Sequence, residues 1–385
     1  MQLEFVGWFQ ILLGFLWRFW PVWLALAVLF ALSFAFKKRL GLYGQILDTG
    51  VGIAGVFICG FWLFTAIFAG TVAPFNPLGQ FPIMKDALPG AIEPNSGQVF
   101  LFGGDTLARD VFSRMVHGSQ IVMIIAPAAT LFALMVGTTL GLPAGFFGGR
   151  IDTILSFLAN LVLAFPVILL FYLLVTPGIM ETPIPYTMAG IFFIFPIIFF
   201  CTLFYTRYNH RPGLLAIQIG LTVAIGGWIY AGLVFNADPF GIVSIRPNEL
   251  NIFVAVVFAS SPGVFRIVRG LSMDIKTRDY VAAAQTRGES SWYIMLWEVL
   301  PNARGPLIVD VCLRIGYTTI LLGTLGYFGL GLAPESPDWG TAIKDSSRLL
   351  RAYIHPALPP VVALMSFVLG LNLLADALRE QSLKD

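Results

Sequence analysis

Charge is what this 385-residue chain has least of. Asp, Glu, Lys and Arg make up 11% of it, against 57% hydrophobic residues. A soluble globular domain carries about twice that share of charge, so a water-solvated surface over the whole chain is excluded. The net charge of +2 supplies no basic field for nucleic acid. Cysteine is scarce too. Cys59, Cys201 and Cys312 fall inside apolar runs without paired spacing, which suits small apolar fillers rather than a disulfide or a metal site. The three histidines, His117, His210 and His355, stand apart in sequence. No Cys/His metal cluster and no nucleophile–His arrangement is visible, so no catalytic residue, metal or cofactor is expected. A G-x-x-x-x-G-K-[ST] phosphate loop is missing as well. If ATP drives this protein, another subunit binds it.

What fills the chain instead is apolar sequence long enough to cross a bilayer, which needs about 20 residues per helix. Nine spans are expected: 8–36, 50–72, 121–146, 153–175, 187–206, 213–235, 250–268, 305–331 and 357–377. The fold class is therefore all-α, a polytopic integral membrane protein. The first run contains Arg18 and Pro21, is too long for a signal peptide and has no basic n-region; a re-entrant or interfacial course stays open for it. Small residues (Ala126, Ala128, Ala129, Gly137, Gly141) suit the third span to close helix packing. Pro166 predicts a kink in the fourth. Before the third span, Leu107, Val111 and Met115 recur at i, i+4, i+8, which predicts a surface helix over 106–116.

Basic residues set the orientation. With 279–302 in the cytoplasm, the cytoplasmic side holds 14 of the 23 Lys and Arg, the outer side holds seven, and Arg18 and Arg314 lie within spans. The C-terminus is then cytoplasmic.

The longest polar interruption of the second half is Asp279–Asn302, DYVAAAQTRGESSWYIMLWEVLPN. It reads as two short helices around a glycine. Asp279 is placed to cap a helix over 280–286, Gly288 to stop it in the left-handed conformation, and Pro301 to end a second helix over about 289–300. Ala282, Ala283 and Ala284 give the first helix a thin face that another protein can approach closely. In the next span, Asp310 and Arg314 are spaced i, i+4 and can pair on one helix face. Two readings stand for them: a pathway site meeting the termini of a zwitterionic peptide, or a buried structural pair.

Residues 279–302 resemble the EAA loop of bacterial ABC importer permeases. Ala283 and Ala284 match its alanines, Gly288 its glycine, and Leu300-Pro301 its end, while Ala282 and Glu298 depart from it. The segments 103–114, 143–152, 163–166, 265–270, 300–309, 325–340 and 372–380 are similar, in order, to the C-type (DppC/OppC-like) permease of dipeptide/oligopeptide importers. The resemblance implies a six-helix core plus about three extra helices. It divides the chain into an extra N-terminal segment (1–45), a first core span with an outer loop and helix (46–120), core spans (121–177), an inserted pair of spans (178–249) where the family has a short outer loop, and a core region with the coupling loop (250–385). It implies Asp279, Tyr280, Ala283, Ala284, Gly288, Leu300 and Pro301 as positions that couple to an ATPase. Asp105, Arg109, Asp110, Asp338 and Trp339 become candidates for outer contacts, with membrane-interface anchoring an equal reading of Trp339.

The implied partners are a second permease (B-type) forming a heterodimer, two ABC ATPase subunits, a periplasmic or lipid-anchored solute-binding protein and the lipid membrane. The implied location is a prokaryotic inner membrane, and the implied cargo is peptide. Nickel, oligosaccharide or another solute on the same scaffold is the alternative. A stand-alone secondary transporter or channel would call for an internal inverted repeat and its own set of buried ionisable groups; neither is visible.

Overall fold

The computed structural model describes residues 3–176, 179, 182–241, 247–330, 335–347 and 350–382. The junction at 177/178 and parts of the loop 333–355 lie outside them. Among the described residues, seven helices are long and apolar enough to cross a membrane: Gly50–Ile67, Val111–Phe147, Ile184–Tyr208, Pro212–Phe235, Glu249–Ile275, Arg304–Phe328 and Leu358–Gln381. Two further helix pairs reach nine if each is one span. Trp8–Arg18 and Trp20–Ala35 meet at 53°, and Gly149–Ala164 and Val167–Leu174 at 79°. The second break falls at Phe165-Pro166, where the ring removes a helical N–H. The protein is a multi-pass, all-α membrane protein.

The chain divides into two compact units, residues 1–127 with 315–385 and residues 128–314. In the first, Gly50–Ile67 packs along Leu358–Ser382. The backbones come close: a Cβ at Gly55 would sit 2.7 Å from the Leu374 nitrogen, and one at Gly370 2.8 Å from Ile58. Without a hydrophobic drive between lipid-embedded helices, such small-residue contacts hold them. Trp20–Ala35 packs on Gly50–Ile67, and its junction residue Phe19 is fully buried beside Phe15, Phe61 and Phe112. Arg18 ends the first half-helix and donates to the side chain of Gln98.

In the second unit, helix Pro247–Ile275 is the centre. Gly137, Gly141 and Gly145, one turn apart, leave room for it; Cβ atoms there would lie 2.5 Å from Val264, 2.9 Å from the Phe265 carbonyl and 2.4 Å from the Arg269 carbonyl. Lys276 Nζ donates to the Gly145 and Phe146 carbonyls at 2.9 and 3.2 Å, satisfying the open end of the neighbouring helix. Arg269 pairs with Asp152. The inserted helices join this unit: Ile184–Phe193 packs on Pro247–Ile275, and Phe195–Tyr208 packs on Pro212–Phe235.

The surface helix expected over 106–116 does not form. Helix begins at Val111 and runs unbroken to Phe147. Residues 103–110 are a loop because Asp105 takes its backbone instead: Oδ1 accepts from the Leu107 and Arg109 N–H groups at 2.9 and 2.8 Å, and Ala108 sits at φ +61°. A short polar side chain that bonds its own backbone competes with helix in this way. Val111 and Met115 are buried inside the unit while Leu107 is exposed.

Candidate functional site

The interruption 279–302 is a helical elbow. Its first helix spans Asp279–Thr286, with Arg278 as the N-cap residue at φ −80°, ψ 150°. Arg278 O accepts from Val281 and Ala282 at 3.0 and 3.2 Å. The cap residue Arg278 makes no side-chain capping bond, and Asp279 occupies the first helical position rather than the cap. It still places negative charge at the positive end of the helix dipole. Ala282 is then the fourth helical position, so a glutamate there would not complete a capping box.

Gly288 adopts φ +79°. Its N–H donates to Gln285 O at 2.9 Å, and the Glu289 N–H to Ala284 O at 3.2 Å. This paired arrangement is the Schellman end, which favours glycine at that position because a Cβ is strained there. The second helix starts after Ser290, whose Oγ accepts from the Tyr293 N–H at 3.2 Å. It passes through a π-turn over Ile294–Val299 and reaches Asn302. Pro301 does not stop it. The wider turn just before the proline gives the room that its ring and missing N–H require.

The elbow has a buried and an open side. Val281, Ala284, Ile294, Met295, Leu296 and Val299 form its core with Leu142, Val264 and Val268. Asp279, Tyr280, Ala282, Ala283, Gly288 and Pro301 are exposed, and Leu300 is half-buried. Ala284 is thus a packing residue, while Ala283 and Tyr280 face outward. Partial burial raises the Tyr280 hydroxyl above its ordinary pKa. Glu298, where the family motif is apolar, has a partner: Arg287 Nη2 reaches its Oε1 at 3.0 Å and ties the second helix back to the end of the first.

Asp310 and Arg314 do pair, Nε to Oδ2 at 2.5 Å, and both are largely buried. Arg314 Nη1 also donates to the Ser260 carbonyl at 3.2 Å. Gly263 makes room for the guanidinium; a Cβ there would stand 2.8 Å from its nitrogens. The pair is closed on protein groups and joins helix Arg304–Phe328 to helix Pro247–Ile275.

The outer candidates form a buried knot. Arg109 Nε binds Asp105 Oδ2 at 2.7 Å and Nη2 binds Asp345 Oδ2 at 2.8 Å. Arg114 lies 3.8 and 3.7 Å from the same two carboxylates and donates to the Ser336 carbonyl at 3.0 Å. Asp110 Oδ2 caps the long helix, accepting from the Ser113 N–H at 2.9 Å and its hydroxyl at 2.6 Å. Burial pushes the Asp110 carboxyl up to about 6 against these bonds. Asp338 Oδ1 accepts from the Thr341 N–H at 2.9 Å, at the start of helix Trp339–Ser347, and burial raises its pKa. Trp339 Nε1 donates to Met115 O at 2.9 Å, and its ring meets Trp62 edge-on at 5.0 Å.

All five candidates are at most 7% exposed. Their side chains are enclosed by partners inside the unit rather than presented at its surface. Sequence reasoning missed Arg114, Asp345 and Gly118, where a Cβ would fall 2.5 Å from the Trp339 ring. Arg114 falls in the family-like segment 103–114, but only the tertiary contact gives it a role.

Comparison with known proteins turns this geometry into a family assignment. A model described as "binding-protein-dependent transport system inner membrane component" matches residues 137–382, which include the whole elbow. The chain is 28% identical over 319 residues to the "Di/tripeptide transport system permease protein DppC" of Pseudomonas aeruginosa (strain UCBPP-PA14), covering 83% of this chain and 82% of that one. It is 26% identical over 315 residues to the "Dipeptide transport system permease protein DppC" of Haemophilus influenzae, covering 82% and 84%. It is 28% identical over 278 residues to the "Glutathione transport system permease protein GsiD" of Pectobacterium atrosepticum, covering 72% and 70%. With more than half of its length inside the matched region, this chain belongs to the family of binding-protein-dependent transport inner membrane components.

Proposed function

We propose that this protein is the permease subunit of an ATP-driven peptide importer, forming half of the pathway and taking its energy from a separate ATPase through the elbow 279–302. The observation that carries the reading is the elbow itself. It is a rigid two-helix unit, cored on one side by the membrane helices and open on the other through Tyr280, Ala282 and Ala283, in a chain without a phosphate loop of its own. A thin, exposed, well-anchored helix suits a surface that must transmit a rigid-body push rather than absorb it. Peptide as cargo follows the relatives, which are di/tripeptide, dipeptide and glutathione transport permeases.

The partners of this reading are a B-type second permease, two ABC ATPase subunits and a solute-binding protein that delivers the cargo. The elbow and the C-terminus then face the cytoplasm, and the membrane is the inner membrane of a prokaryote. The turn at 207–212 supports that topology. Arg207 Nη1 lies 3.3 Å from the Tyr293 hydroxyl, so the turn between the two inserted helices is on the elbow's side, as two added spans require.

Co-expression with ATPase subunits tests the reading. Wild-type chain is expected to retain them through purification, and Ala283→Arg, which puts a long charge on the thin face, to lose them with its own fold intact. Transport by the purified permease alone, without an ATPase, would overturn it.

A further inference from the structure

The inserted helices are not confined to lipid contact. The end of helix Phe195–Tyr208 reaches the second helix of the elbow and grips it at three points. Trp297 Nε1 donates to Thr206 Oγ1 at 3.1 Å. The guanidinium carbon of Arg207 lies 4.7 Å from the centre of the Trp297 ring, within the range where a cation is held by an aromatic face. Arg207 also reaches the Tyr293 hydroxyl at 3.3 Å. One and two turns back along the same helix, Leu203 and Phe199 pack against the elbow's buried core.

These contacts fall where they have leverage. Trp297 lies within the π-turn Ile294–Val299, the least regular stretch of the elbow, and such turns mark places where a helix is re-aimed. Its neighbour Glu298 holds the first elbow helix through Arg287. Successive residues of one turn therefore clamp to different partners: Trp297 to the insert, Glu298 to the helix that carries the exposed alanines. Whatever fixes Trp297 also fixes the angle at which Ala283 and Tyr280 are presented.

We propose that the inserted pair 184–235 is a brace for the coupling elbow, with Thr206 and Arg207 as positioning residues that hold Trp297 and so pre-set the elbow for its ATPase. This rests on the reading of the elbow as an ATPase dock. The brace confines the elbow to its binding-competent geometry, and a partner binds more weakly to a surface that it must first order.

The test compares full-length wild type, the double variant Thr206→Val/Arg207→Ala, Arg207→Lys, and Arg211→Ala, which changes an exposed charge in the same turn. Hydrogen exchange over 291–302 reads the brace directly, and the affinity of the solubilised permease for its ATPase subunits reads the consequence. In the double variant, exchange is expected to rise and affinity to fall, each by roughly ten-fold, with the unfolding midpoint unchanged. Arg207→Lys, which keeps a cation, is expected to restore most of both, and Arg211→Ala to change neither. Unchanged exchange at 291–302 would overturn the brace. Raised exchange with unchanged ATPase affinity would overturn its positioning role. A wild-type chain that never retains an ATPase would instead sink the dock reading, and the exchange response would still show whether the contact exists.

Discussion

The knot around Arg109 and the elbow around Gly288 are built from the same kinds of residue and end in opposite states. Each sets Asp, Arg and Gly at short spacings beside a long apolar helix. In the knot, Asp105, Arg109 and Arg114 are at most 3% exposed and use one another and Asp345 as partners. In the elbow, Arg287, Asp279 and Tyr280 stay at the surface and only the apolar side is covered. A charged motif near a membrane helix is thus a scaffold when its charges are enclosed with one another and a handle when they stay at the surface. Buried charges that pair internally hold a loop in one shape and leave nothing to recognise.

The sharpest way to break this contrast is Arg109→Ala. It takes the nearer cation from two carboxylates and leaves them only Arg114 at 3.8 and 3.7 Å, and the loss of one partner from a buried pair costs roughly 3–5 kcal/mol. The expected result is a large drop in the unfolding midpoint in detergent, or no folded protein. A near-neutral effect would show that the knot is not structural. Ala283→Arg on the elbow is expected to do the reverse, abolishing uptake while stability moves by no more than about 0.5 kcal/mol.

Asp110 gives the knot a pH signature. Its carboxyl is raised from an ordinary 3.8 to about 6, so the folded state binds more protons than the unfolded state between those values. Stability from this group is therefore greatest below pH 4 and declines as pH rises through 6. The cost above that is at most about 3 kcal/mol, because each tenfold change in proton affinity corresponds to about 1.36 kcal/mol. Asp110→Asn, which keeps a capping oxygen, is expected to gain on wild type at pH 7.5 and to lose that advantage near pH 4. Midpoints that run parallel at both pH values would contradict the raised carboxyl.

Smaller effects belong to the elbow. Gly288→Ala adds a Cβ at φ +79°, at a cost of about 1–2 kcal/mol, and should loosen the angle between the elbow helices, seen as faster exchange at 286–290. Glu298→Ala removes a partly exposed ion pair, worth about 0–1 kcal/mol. Its effect should appear in ATPase coupling before it appears in thermal stability. If it lowers the midpoint as much as Arg109→Ala does, the distinction between knot and elbow fails.

How much of this could be read in advance follows from range. Apolar runs show the membrane helices directly, because a helix in lipid satisfies its own backbone and needs only length. The bend at Pro166 was legible for the same local reason. The two-helix elbow and its glycine were legible because a helix end is written within about four residues of itself. The cap at Arg278 was not, since Asp279 is a strong capping residue and only the backbone angles place it one position inside. The helix expected over 106–116 failed on competition: a periodic apolar pattern lost to the Asp105 carboxylate, which bonds two N–H groups of the loop. Pro301 failed on compensation, by a π-turn that no residue pattern announces.

The sequence alone determined the membrane class, the long apolar helices, the absence of a phosphate loop and the elbow as a motif. Each of these depends on composition or on residues near each other in the chain. Tertiary structure decided which charges are buried, which face of the elbow is open, and that the inserted pair touches Trp297. Those depend on residues 91 to 236 positions apart, and burial, unlike helix length, is a property that no stretch of chain has by itself.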